Sequence, residues 1–166
     1  MTTLPRGEAA DVHRAVRRRR AVAAAGAVSA GLLLLSACEK PTPVATVTVG
    51  DSSVNSEAMC YNDGNALDAK SLATCVKNVG NAKSIKVDQD ETVRFGVDPK
   101  IADAGWVLLV NGQQFTDVSK KTYRTIPGSA FFNQQYGTQG DTNTVTIRMG
   151  EKANQGMWSF KLKKAA

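Results

Sequence analysis

The sequence predicts a mainly β domain, and three observations indicate this fold class. Several short segments alternate apolar and polar side chains with a period of two, which is typical of strands that bury one face. Residues that favour turns, chiefly Gly, Asn and Asp, separate these segments. The order of the segments lacks the regular alternation of strands and long helices that would indicate a parallel α/β sheet.

The composition agrees with one folded domain preceded by a targeting segment. The 166 residues are 42% hydrophobic and 22% charged, which is ordinary for a globular protein and excludes a disordered chain, a collagen or a membrane protein with several spans. The chain is too short for two ordinary enzyme domains.

The first predicted strands lie before residue 98. The segment Val44–Val49 is rich in β-branched residues and ends at a Gly-Asp pair. Two further segments, Ile85–Val87 and Val93–Val97, alternate on either side of the polar turn Asp88–Glu91. This arrangement predicts that the two segments form a hairpin.

The later strands are predicted from one apolar and two alternating segments. Trp106–Val110 is apolar throughout, as in a strand covered on both faces, and Asn111-Gly112 after it is a strong signal for a type I′ hairpin turn. The segments Val145–Met149 and Trp158–Leu162 alternate and predict the last two strands.

Two segments interrupt the strands. Asp98 and Pro99 before Lys100–Ala104, with Gly105 after it, predict a helix of one or two turns. Residues 66–79 form either a helix or a loop held by a disulfide. Helical spacing in that segment is carried by Leu72, Cys75, Val76 and Val79.

Six to eight short strands with turn signals between them favour an antiparallel β-sandwich over residues 44–166, with an immunoglobulin-like architecture. In true immunoglobulin domains, the core Trp lies between the two bridged Cys, whereas Trp106 follows both Cys60 and Cys75. The prediction therefore concerns architecture and not family membership.

Residues 1–37 predict a helical signal segment for export. The cationic run Arg17–Arg20 precedes the uncharged segment Ala21–Ala37, which is too weakly apolar for a permanent membrane span. Residues 1–37 carry six Arg against two acidic residues, and the remainder carries 15 basic against 13 acidic residues. Because the excess charge lies mainly in the leader, we predict no nucleic-acid partner.

The segment Leu35-Ser36-Ala37-Cys38 resembles the bacterial lipobox. This resemblance implies cleavage before Cys38 and a diacylglyceryl group on its thiol, which would anchor the protein at the extracytoplasmic face of the cell membrane. The alternative is an uncleaved signal anchor with a chance Cys. Residues 38–43 then form a short, proline-rich tether. Either the general secretory or the twin-arginine route remains open for export.

Lipidation of Cys38 leaves two cysteines, Cys60 and Cys75. An even remainder in an exported chain predicts a disulfide, and a pair of buried free thiols is the alternative.

The stretch from Cys60 to Trp106 resembles small uncharacterised actinobacterial cell-envelope lipoproteins that share a domain of unknown function. The resemblance implies an envelope location and a sandwich, without a reaction. The matching features are the paired Cys, Ser84–Val87, Val93–Val97, Pro99 and Ile101–Trp106.

The only histidine, His13, lies in the leader, so the mature chain lacks the usual general base near neutral pH. This excludes Ser-His-Asp catalysis, Cys-His catalysis and a blue-copper site. We predict no cofactor and no metal, because Asn62–Asn65 with Asp68 lacks the spacing of an EF-hand and is typical of a turn.

A carboxylate-dependent hydrolase is the enzymatic alternative, since some glycosidases use only two acidic side chains. The available carboxylates occupy positions that are also typical of turns and caps. They are Asp88, Asp90, Glu91, Asp98 and Asp103.

The sequence favours a non-enzymatic domain that binds an envelope protein or a wall polymer. Its candidate binding loop lies in residues 128–140 and contains Phe131, Phe132 and Tyr136 among uncharged polar residues. The alternative is that the Phe rings plug the end of the core. Lysines at 120–121 and 161–164 could face anionic polymers or lipid headgroups, although solvent-facing positions on the sheet explain them equally.

Overall fold

The computed structural model describes residues 41–133 and 140–165, in which ten strands are found. The strands are β1 (Ala45–Val49), β2 (Ser52–Ser56), β3 (Cys60–Tyr61), β4 (Lys83–Val87), β5 (Thr92–Val97), β6 (Trp106–Val110), β7 (Gln113–Gln114), β8 (Tyr123–Pro127), β9 (Thr142–Met149) and β10 (Gly156–Lys164). The α-helices are α1 (Ala69–Asn78) and α2 (Pro99–Ala104), and single 3₁₀ turns occupy Val79–Asn81 and Gly128–Phe132.

The strands form two sheets. The first has the order β2-β1-β5-β8 and is antiparallel throughout. The second has the order β3-β10-β9-β6-β7, and β4 adds to β10 in parallel beyond β3. The predicted mainly β, immunoglobulin-like sandwich is therefore confirmed, with the β4–β10 pair as the parallel exception.

The core lies between the two sheets because alternate side chains of each strand point inward. In β1, for example, Ala45, Val47 and Val49 are buried while the residues between them are half-buried. Aromatic side chains supply the largest buried volumes. They are Trp106, Trp158, Phe95, Phe131 and Phe160.

The predicted hairpin between β4 and β5 is wrong. Strand β4 pairs with β10 in the second sheet, whereas β5 pairs with β1 and β8 in the first. The turn Asp88–Glu91 therefore crosses from one sheet to the other. Both strands bury alternate residues, and alternation alone does not distinguish two paired strands from two strands that face each other across a core.

The local turn and helix signals are confirmed. Asn111 and Gly112 have φ values of 51° and 85°, as a type I′ turn requires, and they join β6 to β7. Helix α2 begins at Pro99 and is followed by Gly105, whose φ is 78°. Of the two alternatives for residues 66–79, the structure contains the helix, α1.

The sandwich has two ends, which we name by the chain segments found there. The tether end contains Thr42–Val44, α2, Val118–Thr122 and Gly150–Gln155. Each of the other three segments makes hydrogen bonds to residues that flank α2, which are Val97, Asp98, Gly105 and Trp106. The far end contains the turns at 50–51, 88–91 and 111–112, the 3₁₀ turn Gly128–Phe132, and Asp141.

Candidate functional site

The structure places the predicted site residues in different parts of the molecule. Cys38 and Tyr136 lie outside the described residues, so their predicted roles stay predictions. Cys60 lies in β3, near the tether end, because Tyr61 pairs with Gly156. Phe131 lies at the far end.

The predicted disulfide between Cys60 and Cys75 is confirmed, with a Cα–Cα distance of 5.7 Å. It joins β3, at the edge of the second sheet, to α1. Cys75 is the only buried residue of that helix, so the disulfide provides much of its attachment to the sandwich.

Helix α1 begins at a side-chain cap. The Asp68 carboxylate accepts a hydrogen bond of 2.7 Å from the backbone N–H of Ser71. This hydrogen bond favours the ionised form and lowers the pKa of Asp68 below its usual value. The neighbouring segment Asn62–Asn65 forms a turn closed by a bond from the Asn65 N–H to the Asn62 carbonyl.

Phe131 belongs to the core, as the plug alternative predicts. Its ring is fully buried, with its centroid 5.7 Å from that of Phe95 and 5.4 Å from that of Phe115. Its carbonyl accepts a buried 2.8 Å hydrogen bond from the Asn143 amide. Phe132 is half-buried against the same core. The Phe131 ring therefore offers no surface to a ligand, which corrects its assignment to the candidate binding loop.

The candidate catalytic carboxylates make local structural contacts. Asp88 accepts from the N–H of Asp90 at 3.1 Å within the sheet-crossing turn. Asp98, at the N-cap of α2, accepts instead from the N–H of Val44 at 2.7 Å. Within residues 41–133 and 140–165, no three side chains of His, Cys, Asp or Glu are grouped so that they could hold a metal ion.

The part of the chain that the structure describes contains no helix with the length and hydrophobicity needed to cross a membrane.

An exposed amphipathic surface lies at the tether end. We call it the Tyr123 surface, and we define it as Val118, Lys120, Lys121, Tyr123 and Arg124. The Tyr123 and Val118 side chains are 66% and 43% exposed, which is unusual for large hydrophobic residues. They flank a groove of about 550 Å³.

The buried Trp106 side chain holds this surface in place. Its indole N–H donates a 2.8 Å hydrogen bond to the Lys121 carbonyl, and its backbone exchanges two hydrogen bonds with Ser119. The Arg124 guanidinium lies over the indole, 5.8 Å from the ring centroid. At the rim, the Lys120 ammonium pairs with the Glu151 carboxylate at 2.9 Å. The loop that carries the exposed residues is thus fixed to the core.

A groove of about 590 Å³ with a mixed polar and apolar lining lies at the opposite edge of the sandwich, between β2 and β4, and we call it the Lys83 groove. The Lys83 ammonium donates a 3.4 Å hydrogen bond to the Asn55 side-chain oxygen across the groove. The side chains supply several amide and hydroxyl groups. Its lining comprises Val44, Asn55, Ser56, Glu57, Ala58, Met59, Asn78, Asn81, Ala82, Lys83 and Ser159.

Sequence reasoning singled out only part of these two surfaces. It noted Lys120 and Lys121 as charged residues, but not the exposed Val118 and Tyr123 beside them. One signal in the sequence could have indicated the surface. Two lysines lie between Val118 and Tyr123, in a segment that does not alternate apolar and polar residues. The Lys83 groove joins segments far apart in sequence, so no local pattern could indicate it.

Comparison with known proteins yields similarities to solved structures only. No protein-family model matches the chain, and no curated protein matches it. A solved structure of fibronectin(III)-like modules of Clostridium thermocellum CbhA is similar at 12% identity and a TM-score of 0.34, covering 51% of this chain and 92% of that one. A similarity of this size supports no conclusion about what the protein binds.

Proposed function

We propose that this protein is a lipid-anchored, extracytoplasmic and non-enzymatic binding domain of the cell envelope. Its anchor is a diacylglyceryl group on Cys38, and its partner is an envelope protein or a wall polymer. The absence of histidine after His13 supports a binding role over the commonest kinds of acid–base catalysis.

The observation that carries the proposal is the pairing of the cysteines. The chain has three, and Cys60 and Cys75 are joined in a disulfide. A structural disulfide is typical of proteins outside the reducing cytoplasm. The remaining thiol belongs to Cys38, which stands at the end of the lipobox-like segment. One unpaired cysteine at that position is what acylation requires.

The test of the anchor is intact-mass analysis of the full chain expressed in a bacterium that processes lipoproteins. We expect the wild type to lose residues 1–37 and to gain a diacylglyceryl group, and Cys38→Ala to accumulate as a precursor. The double variant Cys60→Ala/Cys75→Ala is the matched control, because it removes two thiols and should still be acylated. A Cys38→Ala protein with the same lipid-bearing mass as wild type would contradict the proposal.

The Lys83 groove is the surface that best suits a polar ligand. Its volume lies within the range of small-molecule sites, about 300–1,000 Å³. Asn55, Asn78 and Asn81 provide amide groups that both donate and accept hydrogen bonds. Sugar hydroxyls need both kinds of partner, so the groove favours a glycan of the wall over an apolar ligand.

Binding is tested by titrating the protein with soluble wall fragments. We expect Asn55→Ala/Lys83→Ala to raise the Kd at least about tenfold, equivalent to about 1.4 kcal/mol. Gln114→Ala is the matched control, since it removes an exposed amide at the other edge of the sandwich. Equal Kd values for all three proteins would exclude the groove as the glycan site.

A further inference from the structure

The geometry points to a fixed orientation of the domain on the membrane: we propose that the Tyr123 surface rests on the headgroups of an anionic bilayer. This inference rests on the proposed acylation of Cys38. It goes beyond anchoring, because it assigns the lipid surface itself as a second binding partner.

The first step concerns the tether, whose last residues make hydrogen bonds to the sandwich. The Pro43 carbonyl accepts a 2.8 Å hydrogen bond from the buried indole of Trp158. Val44 and Asp98 bind each other through two hydrogen bonds of 2.7 and 3.1 Å. The Thr42 hydroxyl accepts a fourth hydrogen bond, from the N–H of Ala58, at 3.2 Å. The chain therefore leaves the domain in a defined place.

The second step is the length of chain between that place and the acylated residue. Thr42 follows Cys38 by four positions. Four residues span at most about 14 Å when fully extended. Thr42 must consequently stay within about 14 Å of Cys38. The far end lies a strand length further away, at the other end of β1.

The third step is what the tether end exposes. Among residues 41–133 and 140–165, three large hydrophobic side chains are exposed, and two of them, Val118 and Tyr123, lie in the Tyr123 surface. Lys120 and Lys121 lie between them in sequence. Tyrosine and lysine suit a membrane interface, since each combines an apolar body with a polar tip that reaches the headgroups.

The fourth step is the charge difference between the ends. The far end exposes five acidic residues against three lysines, and an anionic bilayer repels it. The acidic residues are Asp51, Asp88, Asp90, Glu91 and Asp141, and the lysines are Lys86, Lys163 and Lys164. The tether end carries no excess of either charge. Its basic residues are Lys100, Lys120, Lys121, Arg124, Arg148 and Lys152, and its acidic residues are Glu57, Asp63, Asp98, Asp103, Asp117 and Glu151.

Weak contacts suffice for this orientation. Once a lipid anchor holds the domain at the surface, further contacts form within one molecule and at a high effective concentration. Each lysine near an anionic surface contributes about 1 kcal/mol. Because Trp106 fixes the Lys121 loop, little flexibility is lost when that loop meets the headgroups.

The experiment uses the full, acylated protein in phosphatidylglycerol–phosphatidylcholine vesicles that contain brominated lipid. A fluorophore is attached at Val118→Cys, and the matched control carries it at Asp90→Cys in the far end. We expect quenching and a blue shift of emission at position 118 only. Lys120→Glu/Lys121→Glu should reduce the quenching at 118, and pure phosphatidylcholine vesicles should do the same.

The outcomes separate this inference from the proposed anchor. If the mass of the wild-type protein shows no lipid, both the anchor and the orientation fail. If the protein is acylated and vesicle-bound but position 118 behaves like position 90, the orientation is overturned and the anchor stands. If position 118 is shielded only after a wall polymer or an envelope protein is added, the lipid surface is excluded as its partner.

Discussion

The tether end and the far end of the sandwich are both closed by buried aromatic rings, but the rings make different polar contacts. At the tether end, Trp106 and Trp158 are fully buried. Each donates its indole N–H to a backbone carbonyl at 2.8 Å, Trp106 to Lys121 and Trp158 to Pro43. One pair of core residues thus fixes both the exposed loop and the tether.

At the far end, the plug is Phe131, whose ring has no polar atom. A separate buried residue, Asn143, binds the loop instead. Its amide donates to the Phe131 carbonyl at 2.8 Å, and its oxygen accepts from the Asn111 side chain at 2.8 Å. This network connects the 3₁₀ turn to the β6–β7 hairpin, and none of these bonds reaches the tether.

The difference shows how one sandwich can keep two surfaces independent. Indole N–H groups couple the core to the tether and to the Tyr123 surface, so changes to these tryptophans should alter how the domain is held. The amide network at the far end closes the core without contacting the tether. Substitutions of the two tryptophans should therefore alter both stability and the contacts that hold the tether and the Tyr123 surface, whereas substitutions at the far end should alter stability alone.

The largest effect is expected at the far end. Phe131→Ala should lower the free energy of unfolding by about 3–5 kcal/mol, because it empties a fully buried ring position against Phe95 and Phe115. Denaturant titration measures the loss. Phe132→Ala is the control, with a smaller loss expected for a half-buried ring. Equal losses for the two variants would show that Phe131 is not the plug.

The sequence predicted elements whose geometry depends on neighbouring residues. The turn Asn111-Gly112 needs positive φ at both positions, and α2 needs little more than Pro99 at its start and Gly105 after its end. The disulfide was predicted from the expected export of the chain and from the two cysteines that remain after Cys38. None of these inferences required knowledge of a distant partner.

The elements that the sequence did not predict depend on contacts with residues far away in the chain. Strand β4 pairs with β10, which lies more than 70 residues later, so its alternation could not show which sheet it joins. Edge strands β2 and β8 bury few residues, and Pro127 weakens the strand signal of β8. The Tyr123 surface depends on the bridge between Trp106 and Ser119, which no local pattern indicates.

A second large effect concerns the attachment of α1 near the tether end. Cys60→Ala/Cys75→Ala should lower the free energy of unfolding by about 3 kcal/mol, as expected when a disulfide between residues 15 positions apart is removed. Glycan binding should weaken too, because Asn78 at the end of α1 lines the Lys83 groove. Denaturant titration and ligand titration measure the two effects. Reduced wild-type protein is the control and should match the variant.

An intermediate effect compares the two tryptophans. Trp158→Phe should lower the free energy of unfolding by about 1–3 kcal/mol, because it leaves the Pro43 carbonyl without its hydrogen-bond donor. Trp106→Phe should cost a similar amount through Lys121. Amide exchange distinguishes them: the first variant should expose the Val44 N–H, and the second the Ser119 N–H. Faster exchange at both sites in both variants would show that the two contacts are not separate.

The smallest effect concerns the N-cap of α1. The disulfide joins this helix to β3, near the tether end. Because the Ser71 N–H lowers the pKa of Asp68 in the folded state, the ionised carboxylate stabilises the helix at a pH above the usual Asp pKa, about 3.9. That stabilisation is lost as the pH falls through the lowered pKa. Helix α1 should therefore fray in acid while the far end keeps its structure, as followed by residue-specific NMR shifts.

Asp68→Asn separates the cap from its charge. Asparagine still offers an oxygen to the Ser71 N–H, but it has no proton to gain in this pH range. The variant should match the wild type at neutral pH and lose the acid-induced change in α1. If the shifts of α1 move with acid to the same extent in both proteins, the titrating group lies elsewhere. In that case the Asp68 carboxylate stabilises the start of α1 no more than a neutral amide does, and the backbone bond from the Leu67 N–H to the Asn154 carbonyl remains to hold that end of the helix.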